Sequence, residues 1–255
     1  MKVTDLSLGY GERRIIHHVD LDIPAGALTV IVGPNGSGKS TLLRGMARLL
    51  RPATGAVHLN GTDIADLGHG ALARQLALLP QAPATPAGLS VGDLVARGRF
   101  PHRSWYQRWS ERDEEVVRRA LSQVDLIDRA DEPVTELSGG QRQRAWIAMV
   151  LAQDTEHLLL DEPTTFLDLA HAVDVMTLAR SVAHDSGRTV ICVLHDLTLA
   201  ARFADHLVVV SQGRIAAAGA PKDVLTPEEL DDVFGLSAHV IDVDGAPAVV
   251  PVRRA

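Results

Sequence analysis

Alternating apolar and polar positions at the start of the chain predict β-strands. The alternation is rough over residues 2–8 and clearer over residues 15–23, and a glycine-containing turn at residues 9–12 separates the two. A short apolar run at residues 28–32 predicts a third strand, and residues 56–60 predict a fourth. We therefore expect an antiparallel sheet at the N-terminal end of the fold.

Apolar residues recur at helical spacing farther along the chain. The first such stretch follows a glycine-rich segment and covers residues 42–50, and residues 111–125 form the pattern of an amphipathic helix. Further helices are predicted after Gly140, running to about Ala152, and over residues 169–183. The continuous apolar run at residues 158–160 and the later run at residues 189–194 are short and buried in character, as is typical of parallel strands between helices.

A phosphate-binding pattern lies between the third strand and the first helix. The segment fits G-x-x-x-x-G-K-[ST] and consists of Gly33, Pro34, Asn35, Gly36, Ser37, Gly38, Lys39, Ser40 and Thr41. The glycines let backbone N–H groups turn toward a β-phosphate, and the helix adds its positive dipole end. We expect Lys39 to bridge the β- and γ-phosphates and the Ser40 hydroxyl to coordinate Mg²⁺. This motif alone indicates only a nucleoside triphosphate, because kinases, small GTPases and motor ATPases share it.

Two adjacent carboxylates, Asp161 and Glu162, follow the apolar run at residues 158–160. At the carboxyl end of a strand beside a phosphate loop, Asp161 is suited to hold Mg²⁺ through water. Glu162 is suited to polarise the water that attacks a γ-phosphate. The alternative is a cap for the next helix, which the nearby phosphate loop disfavours.

A rare pentapeptide directly precedes a predicted helix. It consists of Leu137, Ser138, Gly139, Gly140 and Gln141. The Ser138 hydroxyl, the glycine N–H groups and the positive end of the helix dipole would form a second anion site. A simple helix cap is the alternative interpretation.

Taken together, these motifs resemble the ATP-binding-cassette (ABC) ATPase family over nearly the whole chain. The resemblance implies an ATPase dimer in which the phosphate loop of one subunit closes over Mg-ATP against the Ser138 segment of the other. It assigns Gln81 as the Q-loop glutamine that senses Mg²⁺ and nucleotide, and His195 as the switch histidine on the γ-phosphate. It also assigns Asp168 as the D-loop aspartate at the dimer interface and Tyr10 as the aromatic that stacks on adenine. Phe166 departs from the small residue common in many D-loops.

The expected fold class is α/β, a P-loop NTPase of the ABC-ATPase fold with an antiparallel N-terminal β-subdomain and an inserted helical subdomain. Within a single domain over residues 1–255, residues 1–85 and 152–215 would form the RecA-like core with the N-terminal β-subdomain. Residues 86–151 would form the helical subdomain, which contains the Ser138 segment. Residues 216–255 would add C-terminal strands and turns, ending in a hairpin.

Composition narrows the setting in which this ATPase would work. The 255 residues carry a formal net charge of −7, which argues against a general nucleic-acid binder. Cys192 is the single cysteine, which excludes a disulfide framework and fits a reducing compartment. No window reaches the roughly 18 to 20 apolar residues that span a bilayer. The resemblance to transporter ATPases, together with this absence, implies a peripheral protein at the cytoplasmic face of the cell membrane, held there through a partner.

The resemblance favours a transporter subunit. Chromosome-organising relatives carry long heptad coils between the phosphate loop and the acidic strand, and translation factors generally carry two cassettes, whereas this chain has neither. Expected partners are a second copy through the nucleotide sites, integral-membrane permease subunits and, indirectly, a substrate-binding protein, with no nucleic acid. A nucleotide-regulated protein acting on DNA is the alternative from another class.

Several segments resemble the ATPases of ferric-siderophore, haem and vitamin B12 importers. The siderophore branch is the most similar, and haem or vitamin B12 import stays open. These segments are residues 98–102, 108–110, 164–172, 195–202 and 204–206. Residues 101–109 are basic and aromatic, and they would form either an exposed loop or part of a groove that receives a coupling helix of the permease.

Overall fold

The computed structural model describes residues 1–81, 83, 88–103, 108–165 and 167–252. Phe166, most of residues 82–88 and the middle of the basic aromatic segment at residues 101–109 lie outside these described residues. The chain divides into two compact units. The first unit comprises Met1–Leu67 together with Arg180–Ala255, and the second unit comprises Gly68–Ala179.

The described residues contain strands in both units. In chain order they are β1 (Lys2–Tyr10), β2 (Arg13–Asp22), β3 (Leu28–Val32), β4 (Thr54–Leu59), β5 (Thr62–Asp63), β6 (Leu76–Leu79), β7 (His157–Asp161), β8 (Thr189–Val193), β9 (His206–Ser211), β10 (Arg214–Gly219), β11 (Ala238–Val243) and β12 (Ala246–Pro251).

Helices occur in both units as well, and β6 and β7 are the strands that belong to the second unit. The helices are α1 (Lys39–Met46), α2 (His69–Ala73), α3 (Val91–Ala96), α4 (Glu111–Gln123), α5 (Gly139–Ala152), α6 (Leu169–Ser186), α7 (Leu197–Phe203), α8 (Pro221–Val224) and α9 (Pro227–Phe234).

The first unit contains the predicted antiparallel sheet, with strand order β2-β1-β4-β5. The alternation in β1 is only rough because its pairing shifts register around Asp5, which adopts a φ of 46°. A bulge of this kind inserts an extra residue into one strand and moves the following side chains to the opposite face of the sheet. As a result Val3 and Leu6 are both buried although they are three residues apart, which strict alternation would not allow.

A second sheet in the first unit places β3 between β8 and β9, parallel to both, and β10 pairs antiparallel with β9. Every residue of β3 and of β8 is buried, as expected for parallel strands covered on both faces. The single cysteine, Cys192, lies in the buried interior of β8. The second unit pairs β6 and β7 in parallel and packs α3 and α4 against α5.

Two expectations about secondary structure are wrong. The first predicted helix ends at Met46 instead of continuing to Leu50, because Arg48 takes a left-handed φ of 57°; Leu49 is 67% exposed. The region from residue 216 onward is not only strands and turns, since it contains α8 and α9. Thr226 caps α9 and Gly235 closes it with a φ of 61°.

The terminal hairpin, by contrast, is present as β11 paired with β12. The division into subdomains at residues 85, 151 and 215 stays a prediction. Among the described residues no helix is both long enough and apolar enough to cross a membrane.

Candidate functional site

The phosphate loop follows the buried strand β3 and leads into α1, which begins at Lys39. Gly33 has a φ of 153°, and a Cβ there would lie 2.0 Å from the carbonyl oxygen of Val210. Gly38 has a φ of 107°, and a Cβ there would lie 2.6 Å from Cδ1 of Ile16. Only glycine satisfies both the backbone conformation and the space. The motif glycines therefore hold the loop tightly against the rest of the first unit.

Lys39 carries its charge inside this loop. The residue is 5% exposed, and its Nζ donates hydrogen bonds to the carbonyl oxygens of Gly33 at 2.8 Å and Pro34 at 3.1 Å. A buried ammonium group needs such acceptors to offset the loss of hydration. Because the ammonium stays within the loop, it is placed to meet a phosphate bound there.

Ser37 offers a hydrogen-bond donor in the same loop. Its main-chain N–H donates to the Pro34 carbonyl at 3.2 Å, and its carbonyl accepts from Gly213 at 2.9 Å. Its Oγ is buried and finds no hydrogen-bond partner among the described residues. A phosphate oxygen would satisfy this hydroxyl and remove the cost of leaving it unpaired. The loop therefore fits a nucleotide phosphate.

The other motif residues are exposed or half-buried. Asn35 and Gly36 form the exposed tip of the loop, and Gly36 has a φ of 77°. Ser40 and Thr41 are half-buried in the first turn of α1. The Ser40 hydroxyl is the type of hard oxygen donor that Mg²⁺ prefers, as is a carboxylate such as Asp161.

Tyr10, the last residue of β1, presents an aromatic ring in the first unit. The residue is 49% exposed, and its hydroxyl accepts a 3.4 Å hydrogen bond from Arg44. An exposed ring anchored at one end is suited to stack on a flat base. Its role toward adenine stays a prediction.

The acidic pair and Gln81 meet in the second unit. Strands β6 and β7 run parallel with Leu79 opposite Leu160, so their carboxyl ends reach the same edge. There Nε2 of Gln81 donates a 2.6 Å hydrogen bond to Oε2 of Glu162. The two residues are 81 positions apart, so this contact is a product of the strand pairing.

Glu162 is held in an unusual conformation. Its φ is 53°, the left-handed region that a branched or long side chain rarely occupies, and the residue is 6% exposed. The Thr165 hydroxyl donates to Oε2 of Glu162 at 3.1 Å, and the Thr165 N–H donates to its carbonyl at 3.2 Å. Backbone strain of this kind persists where the surroundings over-determine it, typically at functional sites. Asp161, directly before it, is 3% exposed at the end of β7.

The Ser138 segment forms a reciprocal cap at the start of α5. The Ser138 Oγ accepts from the Gln141 N–H at 3.3 Å, and the Gln141 side chain accepts from the Ser138 N–H at 3.0 Å. The capping interpretation is therefore correct as local structure. Ser138 and Gly139 are nevertheless exposed, and Gly140 and Gln141 half-buried, at a helix N-terminus that favours anions.

Asp168 lies just before α6 and interacts with His171, a residue that sequence reasoning missed. The carboxylate accepts from the His171 N–H at 2.9 Å and lies 2.7 Å from its Nδ1. The backbone and ring hydrogen bonds of His171 lower the pKa of Asp168. The spacing of three residues at a helix start, which is typical of capping, was the available signal.

His195 follows β8 in the first unit and is exposed. The next residue, Asp196, caps α7 by accepting from the Leu199 N–H at 2.7 Å. This cap fixes the backbone next to the histidine. Contact of His195 with a γ-phosphate stays a prediction.

Comparison with known proteins agrees with these motifs. The ABC transporter family model matches residues 16–165. The achromobactin transport ATP-binding protein CbrD of Dickeya dadantii is 51% identical over 237 residues, covering 93% of this chain and 88% of that protein. The ferric enterobactin transport ATP-binding protein FepC of Escherichia coli is 47% identical over 251 residues, covering 98% and 91%.

A solved dimeric bacterial ABC transporter cassette matches with a TM-score of 0.76 at 27% identity, covering 86% of this chain and 98% of that one. The predicted fold class, an α/β ABC-ATPase fold with an antiparallel N-terminal sheet, is confirmed. The chain belongs to the ABC transporter family.

Proposed function

We propose that this chain is the ATP-hydrolysing subunit of an ABC importer for ferric siderophores. The observation that carries the proposal is the Glu162 carboxylate, which is buried on a strained backbone and held by the side chains of Gln81 and Thr165. A carboxylate fixed in this way is suited to orient the water that attacks a γ-phosphate.

The other motif residues supply binding and charge. Lys39 and the glycine-rich loop would hold the phosphates of ATP, with Tyr10 on the adenine and His195 on the γ-phosphate. Mg²⁺, when bound, would neutralise charge that develops on the phosphates, and Ser40, Gln81 and Asp161 are the residues proposed to hold it. Their donors are all oxygen atoms, the ligand type that Mg²⁺ requires.

The working unit would be a homodimer closed through its nucleotide sites. In each site the phosphate loop of one copy would face Ser138, Gly139, Gly140 and Gln141 of the other, with Asp168 at the same interface. Leu169 is 70% exposed and Val173 is 37% exposed beside Asp168. Apolar side chains grouped at the surface favour contact with another protein, so they support a second copy here.

Siderophore cargo is proposed from the relatives, which are named for achromobactin and ferric enterobactin transport. Haem or vitamin B12 is the alternative cargo, and action on DNA is a more distant alternative. The net charge of −7 supports the absence of a nucleic-acid partner.

A membrane permease would receive the energy of hydrolysis, with a substrate-binding protein acting indirectly. Phe100 is 61% exposed and Trp109 is 39% exposed, and the Arg103 guanidinium lies 5.3 Å from the centre of the Trp109 ring. Exposed aromatic and arginine side chains are typical of protein interfaces. We propose that the basic aromatic segment at residues 101–109 contacts a coupling helix of the permease. This contact would keep the subunit at the cytoplasmic face of the membrane.

Uptake in cells tests the cargo. Deletion of the gene should abolish uptake of iron supplied as a ferric siderophore, and the wild-type gene should restore it, whereas the Glu162→Gln gene should not. Haem and vitamin B12 uptake serve as parallel assays. Intact siderophore uptake with loss of either other solute would refute siderophore import and retain the ATPase role. Salt-dependent DNA binding by the purified chain would favour the other class.

A further inference from the structure

His171 contacts two motifs of the second unit at once. It lies in the first turn of α6, three residues after Asp168, and it also lies against Gly140 at the start of α5. The sequence motifs include Gly140 and Asp168 but assign no role to His171. Its side chain is 45% exposed, so burial in the core does not account for its position.

The contact with Asp168 is doubly anchored. One carboxylate oxygen, Oδ1, accepts the His171 main-chain N–H at 2.9 Å and lies 2.7 Å from the ring Nδ1. The main-chain bond ties the carboxylate to the helix start, and the ring bond ties it to the imidazole. The orientation of the ring therefore follows that of the Asp168 side chain.

The contact with Gly140 is steric. A Cβ on Gly140 would lie 3.2 Å from Cδ2 of His171 and 3.5 Å from its Cγ. The imidazole therefore packs closely on a glycine that has no side chain to keep it away. The first turn of α5 and the carboxylate before α6 touch opposite parts of one ring.

We propose that His171 is a positioning residue that holds the Asp168 carboxylate and the start of α5 in one fixed arrangement. This inference rests on the proposed function, in which both groups face the second copy of the chain. Two surfaces that must meet one partner together require a fixed spacing. A displacement of about 1 Å between groups that assemble a site costs up to about 100-fold in rate.

Two substitutions separate the two contacts. His171→Asn keeps a nitrogen donor near the place of Nδ1 but removes the ring from Gly140. His171→Phe keeps a ring of similar size but removes the donor to Asp168. If both contacts are needed, each variant lowers kcat for ATP hydrolysis about tenfold and changes KM for ATP less than about twofold.

The chain offers a matched control in His184, near the end of the same helix. Its side chain is 43% exposed, and its Nε2 lies 2.8 Å from Oδ2 of Asp205. It therefore has the same residue type, exposure and kind of partner, away from both motifs. His184→Asn and His184→Phe should leave kcat within about twofold of the wild-type value.

A double-mutant cycle tests the contact with Gly140 directly. Gly140→Ala adds a methyl group against the ring, so its cost in kcat should be smaller in the His171→Asn background than in the wild type. An equal cost in the two backgrounds would overturn the proposed packing role. The thermal unfolding midpoint, measured for every variant, confirms that the compared proteins are folded.

Failure of the inference is distinguishable from failure of the proposed function. A wild-type chain that, assembled with its membrane partners, hydrolyses no ATP would refute the function. Wild-type hydrolysis with an unchanged kcat in either His171→Asn or His171→Phe would overturn only the positioning role. A tenfold loss in the His184 variants as well would also overturn it, because any exposed histidine on α6 would then have the same effect.

Discussion

The side-chain amide of Gln81 donates a 2.6 Å hydrogen bond to the carboxylate of Glu162. The two residues come from the ends of neighbouring parallel strands, so the pairing of β6 with β7 determines their distance. The glutamine proposed to sense nucleotide and the carboxylate proposed to orient water therefore share one hydrogen bond. A substitution or movement of Gln81 should therefore alter the position of the Glu162 carboxylate directly.

Glu162→Gln should slow ATP hydrolysis severely and retain ATP binding. The amide cannot accept a proton from water, and general-base groups contribute about 10² to 10⁴ in rate. Phosphate release measures the loss, and size-exclusion chromatography with ATP should show a trapped dimer. Glu156→Gln is the matched control, because Glu156 is an exposed carboxylate directly before the other end of β7. Wild-type turnover in Glu162→Gln would remove Glu162 from its role.

Thr165→Val should lower kcat with little change in KM for ATP. Valine keeps the shape of threonine but loses the hydroxyl that donates to Glu162 at 3.1 Å. A single hydrogen bond to a charged group is worth about 1.5 to 3 kcal/mol, so a loss of about tenfold or more is expected. Thr165→Ser should retain most of the activity, since it keeps the donor. Equal rates for the valine and serine variants would contradict the positioning of Glu162 by Thr165.

Lys39→Met should weaken ATP binding by at least about tenfold, because the charge-assisted contacts to phosphate are lost. Methionine has a similar length, so the packing of the buried stem is kept. Equilibrium binding of a fluorescent ATP analogue measures the effect. Lys222→Met, at an exposed lysine in α8, controls for the general loss of one positive charge. Similar affinities for the two variants would argue against a phosphate at Lys39.

Arg99→Met should destabilise the fold by about 3 kcal/mol, since it leaves the Asp113 carboxylate buried without its partner. The two side chains are 4% and 8% exposed and are joined at 2.9 Å. Burial opposes ionisation of Asp113, but hydrogen bonds from Ser110 and Arg99 outweigh it and lower the pKa.

Urea unfolding measures this destabilisation. Arg129→Met is the control, because the Arg129–Glu132 pair is 44% and 41% exposed and should contribute at most about 1 kcal/mol. An equal loss in the free energy of unfolding in the two variants would show that burial does not make the Arg99–Asp113 pair more important for stability than an exposed pair.

His157 should make stability depend on pH on the acidic side of neutrality. Burial lowers the pKa of this histidine from its ordinary value of 6.5. The unfolded chain then binds a proton that the folded chain resists, so the contribution is fully present above pH 6.5. It decreases as the pH falls below that value. The free energy of unfolding in His157→Gln should fall less between pH 7 and pH 5.5 than in the wild type. Parallel pH curves would contradict this prediction.

Some of the structure follows from short stretches of sequence. The phosphate loop needs glycine at positions 33 and 38 because of local backbone angles and close atoms, and the motif pattern records that need. The ends of helices were less predictable. Leu49 and Leu50 continue the apolar spacing of α1, yet the helix stops at Met46, because periodicity does not record the left-handed turn at Arg48.

The sequence by itself determined the motifs on which the proposed chemistry depends. These are the phosphate loop, the acidic pair at the end of a strand and the Ser138 segment, and each consists of consecutive residues. Only the tertiary structure decided which side chains meet across the chain. Strand pairing brings Gln81 to Glu162, and helix packing brings His171 to Gly140. The physical reason is that a motif records local backbone needs, whereas contacts between distant residues depend on how strands and helices pack.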